Sequence, residues 1–213
     1  MNKIDDTELI LNSNKKIYHL NLSKDEIADD IILVGDPGRV KQISSRFDSI
    51  QHKINNREFI THTGILRGKK LSVISTGIGT DNIDIVINEL DALANINFKT
   101  RTTNLKKKSL NLIRLGTSGA LQKEIKVDSL IVSSYALGFD GLAHFYSDKS
   151  NMKLEIGTAF QSHALWPNEL ANPYCIKASK KLFDKLKAFV TAANKAAEDQ
   201  KKLDRFIICN QVN

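Results

Sequence analysis

Three glycine-bearing turns hold the residues best suited to chemistry: "GDPGR" at 35–39, "STGIGTDN" at 75–82 and "RLGTSGA" at 114–120. Each closes or follows a short apolar run. Glycines let backbone N–H groups approach a ligand closely, and helix N-termini favour negative charge. Arg39 and Arg114 add planar guanidinium forks that match phosphate oxygens. An arginine at a helix start opposes the helix dipole, and one inside an apolar strand needs a partner. One glycine after a strand is usually only a turn. Three at successive strand ends, two of them with arginine, point to an anion site.

The elements that must position these turns are four apolar, β-branched runs: "IILV" from Ile31, "LSVIST" from Leu71, "LIRLGT" from Leu112 and "SLIVSS" from Ser129. Near-continuous apolar runs predict strands covered on both faces, hence a largely parallel central sheet. Helical patterns fall between them. One begins at Pro37, with Asp36 as N-cap and Val40, Ile43 and Phe47 on its buried side. A second runs from Thr80, where Ile83, Val86, Ile87, Leu90 and Ala94 form a stripe and Asp81 is the expected cap. A third spans 176–189, with Ile176, Leu182, Phe183, Leu186 and Phe189 inward. Alternating strands and helices predict one α/β layered domain over 1–213. "KTRTTNLKKKS" at 99–109 reads as an exposed loop. Beyond Phe189, a short strand candidate stands at each end of an alanine- and charge-rich stretch.

Composition narrows the function classes. The chain has 213 residues, 41% hydrophobic and 26% charged, with a formal net charge of +7. That charge is compatible with anionic ligands, but solvated lysine-rich helices explain it equally. Lys106, Lys107 and Lys108 show no aromatic interleaving, so no nucleic-acid role is expected. Cys175 and Cys209 are too few for a disulfide framework and fit a reducing cytoplasm. No apolar run reaches membrane-spanning length, so no membrane partner is expected. His52, His62, His144 and His163 lack metal-ligand spacing, so no metal is expected. Cys175 has no evident base partner.

Together, "VGDPGRV", "NREFITHTG", "STGIGTDNIDIVINELDAL", "RLGTSGALQ" and "LGFDGLAHFY" resemble the uridine phosphorylase branch of the nucleoside phosphorylase family, over roughly residues 17–190. The resemblance implies a three-layer α/β sandwich with a mixed, largely parallel, partly barrel-like sheet. It implies reversible phosphorolysis of a nucleoside to free base and ribose 1-phosphate. Inorganic phosphate is then the co-substrate and no cofactor is required. Gly35, Arg39, Arg114 and Thr117 would bind phosphate, with Arg114 and Thr117 as the catalytic pair and Thr117 close to the ribose. Arg57 of "NREF" resembles the arginine such enzymes lend to a neighbour's phosphate, and His19 of "YHLNL" the histidine that reaches the neighbour's ribose. Both transfers imply a homodimer or homohexamer. Ser118 and Gly119 would lie against the base.

The last third departs from the family pattern. Gln200 falls where the family carries a base-binding glutamine, but Ala196 and Lys202 replace the flanking phenylalanine and arginine. After "ICN" the family continues with a Glu-Met-Glu motif that grips the ribose hydroxyls; here the text is "ICNQVN". The expectation is a truncated or altered C-terminal part. Three functions compete: a uridine phosphorylase, a purine nucleoside phosphorylase, and a catalytically impaired homologue that keeps the anion cradle.

Overall fold

The computed structural model describes residues 3–200 and 207–209, with 197–200 and 207–209 described by backbone alone. The chain divides into two compact units, Met1–Ile113 and Arg114–Asn213. In chain order the elements are β1 (Asp30–Val34), α1 (Pro37–Ser44), β2 (Ser49–Asn56), β3 (Phe59–Leu66), β4 (Lys69–Ser75), α2 (Thr80–Asn95), β5 (Ile96–Asn97), β6 (Thr102–Thr103), β7 (Asn111–Gly116), β8 (Tyr135–Gly138), α3 (Leu154–His163), β9 (Tyr174–Lys177), α4 (Lys180–Gln200) and β10 (Ile207–Cys209).

Unit 1 is built on a mixed sheet. β1 and β4 pair in parallel, with Val34 opposite Ser75, so their carboxyl ends reach one edge together. β4, β3 and β2 then form an antiparallel meander. The side chain of Asn111, at the start of β7, donates to the Asp30 carboxylate beside β1 at 2.7 Å. Leu33, Ile74, Val86 and Phe59 are each at most 1% exposed, so strands and α2 share one core. Burial of side chains this size contributes about 1.5–3 kcal/mol each before entropy is charged against it.

β2 and β3 do not appear among the runs expected from the sequence, and the reason is visible in β3. Its inward positions include Thr61 and Thr63, both fully buried, so the alternation is not one of apolar and polar residues. Hydrogen bonds make this tolerable for Thr63: its hydroxyl donates to the Glu26 carbonyl and meets the Ser72 hydroxyl, both at 2.7 Å. Gly64 is required where β3 crosses the bulge of β2, because a Cβ there would lie 2.1 Å from the Ser49 carbonyl oxygen.

α1 follows its sequence. The Asp36 side chain accepts from the Gly38 N–H at 2.8 Å and Pro37 takes the first helical position. Val40 is buried, whereas Ile43 is half-buried and Phe47 lies beyond the helix end. α2 also begins at Thr80, but its N-cap is Gly79 rather than Asp81, which lies inside the first turn. Gly79 has φ 105°, a backbone that glycine adopts without strain, and that geometry sets the entry. In the 99–109 segment, Thr102–Thr103 pairs with Ile96–Asn97, while 105–109 is exposed.

Unit 2 holds three corrections. "SLIVSS" is not a strand; the strand is the next segment, Tyr135–Gly138, which pairs antiparallel with β9. Ile176 belongs to β9, so the third helix starts at Lys180 instead of 176, and Phe189 faces outward at 61% exposure. The strand candidate at Val190 lies within α4, and Val190 itself is buried. The second candidate is β10, which pairs antiparallel with the end of β7, Cys209 opposite Arg114. Cys175 is buried, and burial, followed by the Glu155 charge, pushes its thiol up from its ordinary value.

His62, on β3, supplies a test of this packing. Its Nδ1 meets the buried Ser44 hydroxyl of α1 at 2.7 Å. Burial, and then the Lys53 charge, lower its pKa below the ordinary 6.5. The folded state therefore takes up this proton less readily than the unfolded chain. The associated stability is present above about pH 6.5 and is lost as pH falls through the folded value. Urea unfolding from pH 8 to pH 5 should show this loss, and His62→Gln should flatten that part of the profile.

Candidate functional site

The parallel register of β1 and β4 decides what lies at their shared edge. "GDPGR" leaves β1 there, and "STGIGTDN" leaves β4 beside it. The Thr76 N–H donates to the Val34 carbonyl at 2.8 Å, tying the two exits together. This edge is where an open α/β sheet presents its ligand crevice. Gly35 and Arg39 are half-buried, and Arg39 sits in the first turn of α1.

The β2–β3 hairpin brings its tip to the same edge. The Ser75 hydroxyl accepts from the Ile60 N–H at 2.7 Å and donates to the Glu58 carbonyl at 2.5 Å. Gly77 is needed beneath it: its φ is 69°, and a Cβ would lie 2.9 Å from Glu58 Cγ. Arg57 forms the tip with φ 55°, a left-handed backbone that costs a non-glycine residue roughly 1–2 kcal/mol. Its guanidinium lies over the Tyr18 ring, 5.7 Å from the centroid, rather than pairing with the adjacent Glu58.

His19 joins this group. The Asn56 side chain donates to the His19 carbonyl at 2.7 Å, and the Tyr18 ring meets the imidazole edge-on at 4.9 Å. Beneath it, the buried Glu89 of α2 accepts from the His19 N–H at 2.9 Å and the Leu20 N–H at 2.8 Å. Four residues singled out from the sequence, Gly35, Arg39, Arg57 and His19, thus belong to elements that meet at one end of the unit 1 sheet.

The remaining residues lie in unit 2. Arg114 is half-buried on β7, and its Nε is buried without a hydrogen-bond partner among the described residues. Thr117, Ser118 and Gly119 form the exposed loop after β7, and a Cβ on Gly119 would meet nothing within 4 Å. Gln200 ends α4, and its side chain lies outside the described residues, as do 210–213 of "ICNQVN". "LGFDGLAHFY" runs from β8 into a 3-10 turn at Leu142–Phe145. There the Tyr174 hydroxyl donates to Asp140 at 2.8 Å; burial, then this bond and the Asp140 charge, push the phenol far above its ordinary value.

A structural arginine in this protein has a different appearance. Arg101 donates to the carbonyls of Ile4, Asp5 and Leu9 at 2.7–2.8 Å and pairs with Asp6. No ion pair among the described residues involves Arg39, Arg57 or Arg114. The residues missed from sequence are Glu89, Asn56 and Tyr18, the supports of His19. A glutamate within a helical pattern reads as solvent-facing, and only the fold reveals its three donors. Among the described residues, no helix is long and apolar enough to cross a membrane.

The chain is 35% identical over 129 residues to a uridine phosphorylase of Thermococcus kodakarensis, covering 61% of this chain and 42% of that one. It is 37% identical over 119 residues to a DeoD-type purine nucleoside phosphorylase of Bacillus thuringiensis, covering 55% and 45%. The chain therefore spans less than half the length of these curated relatives. Its structure matches that of a Trypanosoma brucei nucleoside phosphorylase, described as showing uridine phosphorylase activity, with a TM-score of 0.74 and 29% identity over 88% of this chain and 63% of that one. This supports the expected mixed α/β architecture. The family model of the phosphorylase superfamily matches residues 29–206, most of the sequence, and the chain belongs to that superfamily.

Proposed function

We propose that this single family domain carries out phosphorolysis of a pyrimidine nucleoside, uridine and phosphate giving uracil and ribose 1-phosphate, within cytoplasmic nucleoside salvage. The observation that carries the proposal is the meeting of two glycine turns, one of them bearing the acid-free Arg39, at one sheet edge of unit 1. Phosphate is assigned to Gly35, Arg39, Arg114 and Thr117, with Arg57 supplied by a neighbouring subunit. The nucleoside is assigned to Ser118, Gly119 and Gln200, with His19 from the neighbour. The active unit is then a homodimer, or a homohexamer built from three such dimers.

The chemistry needs no cofactor. The C–N glycosidic bond breaks with its electron pair passing to the base, which takes up a proton. A phosphate oxygen forms the new bond to the anomeric carbon. Positive charge develops on the sugar, directly above the phosphate dianion, and negative charge develops on the base. Arginines that fix the nucleophile act by positioning and electrostatics, the terms that commonly dominate such barriers. The orphan Nε of Arg114 is a donor that a phosphate oxygen would satisfy. The similarity to DeoD-type enzymes favours a purine nucleoside as the second reading.

Uridine incubated with the protein, with and without phosphate, tests the proposal through the ultraviolet absorbance of uracil. Uracil that forms only with phosphate is expected. Inosine in its place tests the purine reading, and no turnover with heat stabilisation by phosphate would favour the binding-only homologue.

Arg57→Gly separates stability from binding. Relief of the left-handed backbone, about 1 kcal/mol, offsets loss of the ring contact, about 0.5–1 kcal/mol. The melting temperature should stay near that of the wild type. Loss of charge-assisted bonds to phosphate should raise KM for phosphate by roughly tenfold or more.

A further inference from the structure

We infer that Glu89 is a positioning residue that fixes the tautomer of His19, so that the imidazole presents an unprotonated Nε2 as a hydrogen-bond acceptor for a ribose hydroxyl. This deepens the proposed function and rests on it for the identity of the ligand; the tautomer itself does not.

Three contacts carry the inference. Glu89 Oε1 accepts from the His19 N–H at 2.9 Å and stands 2.7 Å from His19 Nδ1. Oε2 accepts from the Leu20 N–H at 2.8 Å. A carboxylate can only accept, so Nδ1 must carry the proton that it shares with Oε1. In the neutral ring the other nitrogen, Nε2, is then an acceptor. A histidine's second partner commonly sets which nitrogen faces the ligand.

The surroundings remove the ring's other freedoms. The Asn56 side chain holds the His19 carbonyl, and the Tyr18 ring packs at 85° to the imidazole. The His19 side chain remains 26% exposed, whereas that of Glu89 is 11% exposed. One end of the pair is therefore anchored and the other is open. The same support extends to Arg57, whose guanidinium covers Tyr18. Both residues expected to reach a neighbouring subunit thus share one scaffold, on Asn56, Tyr18 and Glu89. Glutamine at position 89 would offer one acceptor oxygen to three N–H donors, so it cannot reproduce the arrangement.

Long-range nitrogen-15 NMR of the imidazoles at pH 8 tests this, with His19→Gln identifying the signal. The expected wild-type pattern is protonated Nδ1 and bare Nε2. A proton on Nε2 overturns the inference, whether or not the protein turns over nucleoside. In Glu89→Gln the signal should move toward the Nε2–H form, and KM for uridine should rise about tenfold while KM for phosphate changes less than twofold. Equal rises in both constants would indicate a general structural defect and also overturn the inference. Should Glu89→Gln fail to fold, the wild-type spectrum still decides. Absence of phosphorolysis beside the expected spectrum would refute the proposed function and leave the tautomer assignment standing.

Discussion

The parallel pairing of β1 with β4 is the constraint on which the unit 1 site depends. With Val34 opposite Ser75, two glycine turns leave the sheet side by side. Leu33 and Val34 on β1 and Val73 and Ile74 on β4 are all fully buried, so packing on both faces of each strand holds the register. α1 and α2 both start from this edge and point their N-terminal N–H groups toward it. The antiparallel meander then delivers the β2–β3 tip to the end of β4, where the Ser75 hydroxyl bonds the backbone of Glu58 and Ile60. Fold and site are therefore one arrangement: the contacts that fill the core also determine which loops are neighbours.

Electrostatics separates two kinds of arginine in this protein. Where this protein uses an arginine as a structural tie, as with Arg101, carbonyls and a carboxylate saturate it. Arg39, Arg57 and Arg114 take part in no ion pair among the described residues, and Arg114 also leaves a buried donor unsatisfied. Such an orphan costs about 1–3 kcal/mol. The left-handed backbone of Arg57 is a second local cost, on the hairpin that carries the third arginine.

Much of this was legible in the sequence, and the failures have physical causes. β1 and β4 were visible because strands buried on both faces need continuous apolar runs, β7 because its own run is apolar, and α1 because Asp36-Pro37 forms a helix start with few alternatives. β3 was hidden because it buries Thr61 and Thr63, the latter bonded to Ser72 and the Glu26 carbonyl, which a pattern of apolar residues cannot reveal. "SLIVSS" misled because the ladder with β9 begins only at Tyr135, one residue beyond the apolar run and its two serines. The third helix began late because Ile176 pairs with Ala136 across β8 and β9. Gly35 and Arg39 drew notice because glycine and arginine at turns have restricted uses, whereas Arg57 and His19 were singled out only through the family resemblance. Glu89 was not, since its role exists only once α2 packs against residues 70 positions earlier.

The central claim is that the unit 1 edge binds inorganic phosphate through Arg39. Calorimetric titration of phosphate into the wild-type chain and the Arg39→Ala variant, at matched ionic strength, tests it most directly. The account predicts saturable binding by the wild type, and at least tenfold weaker binding once the charged donor is removed. Equal affinity in the two proteins, or no binding by either, would contradict it.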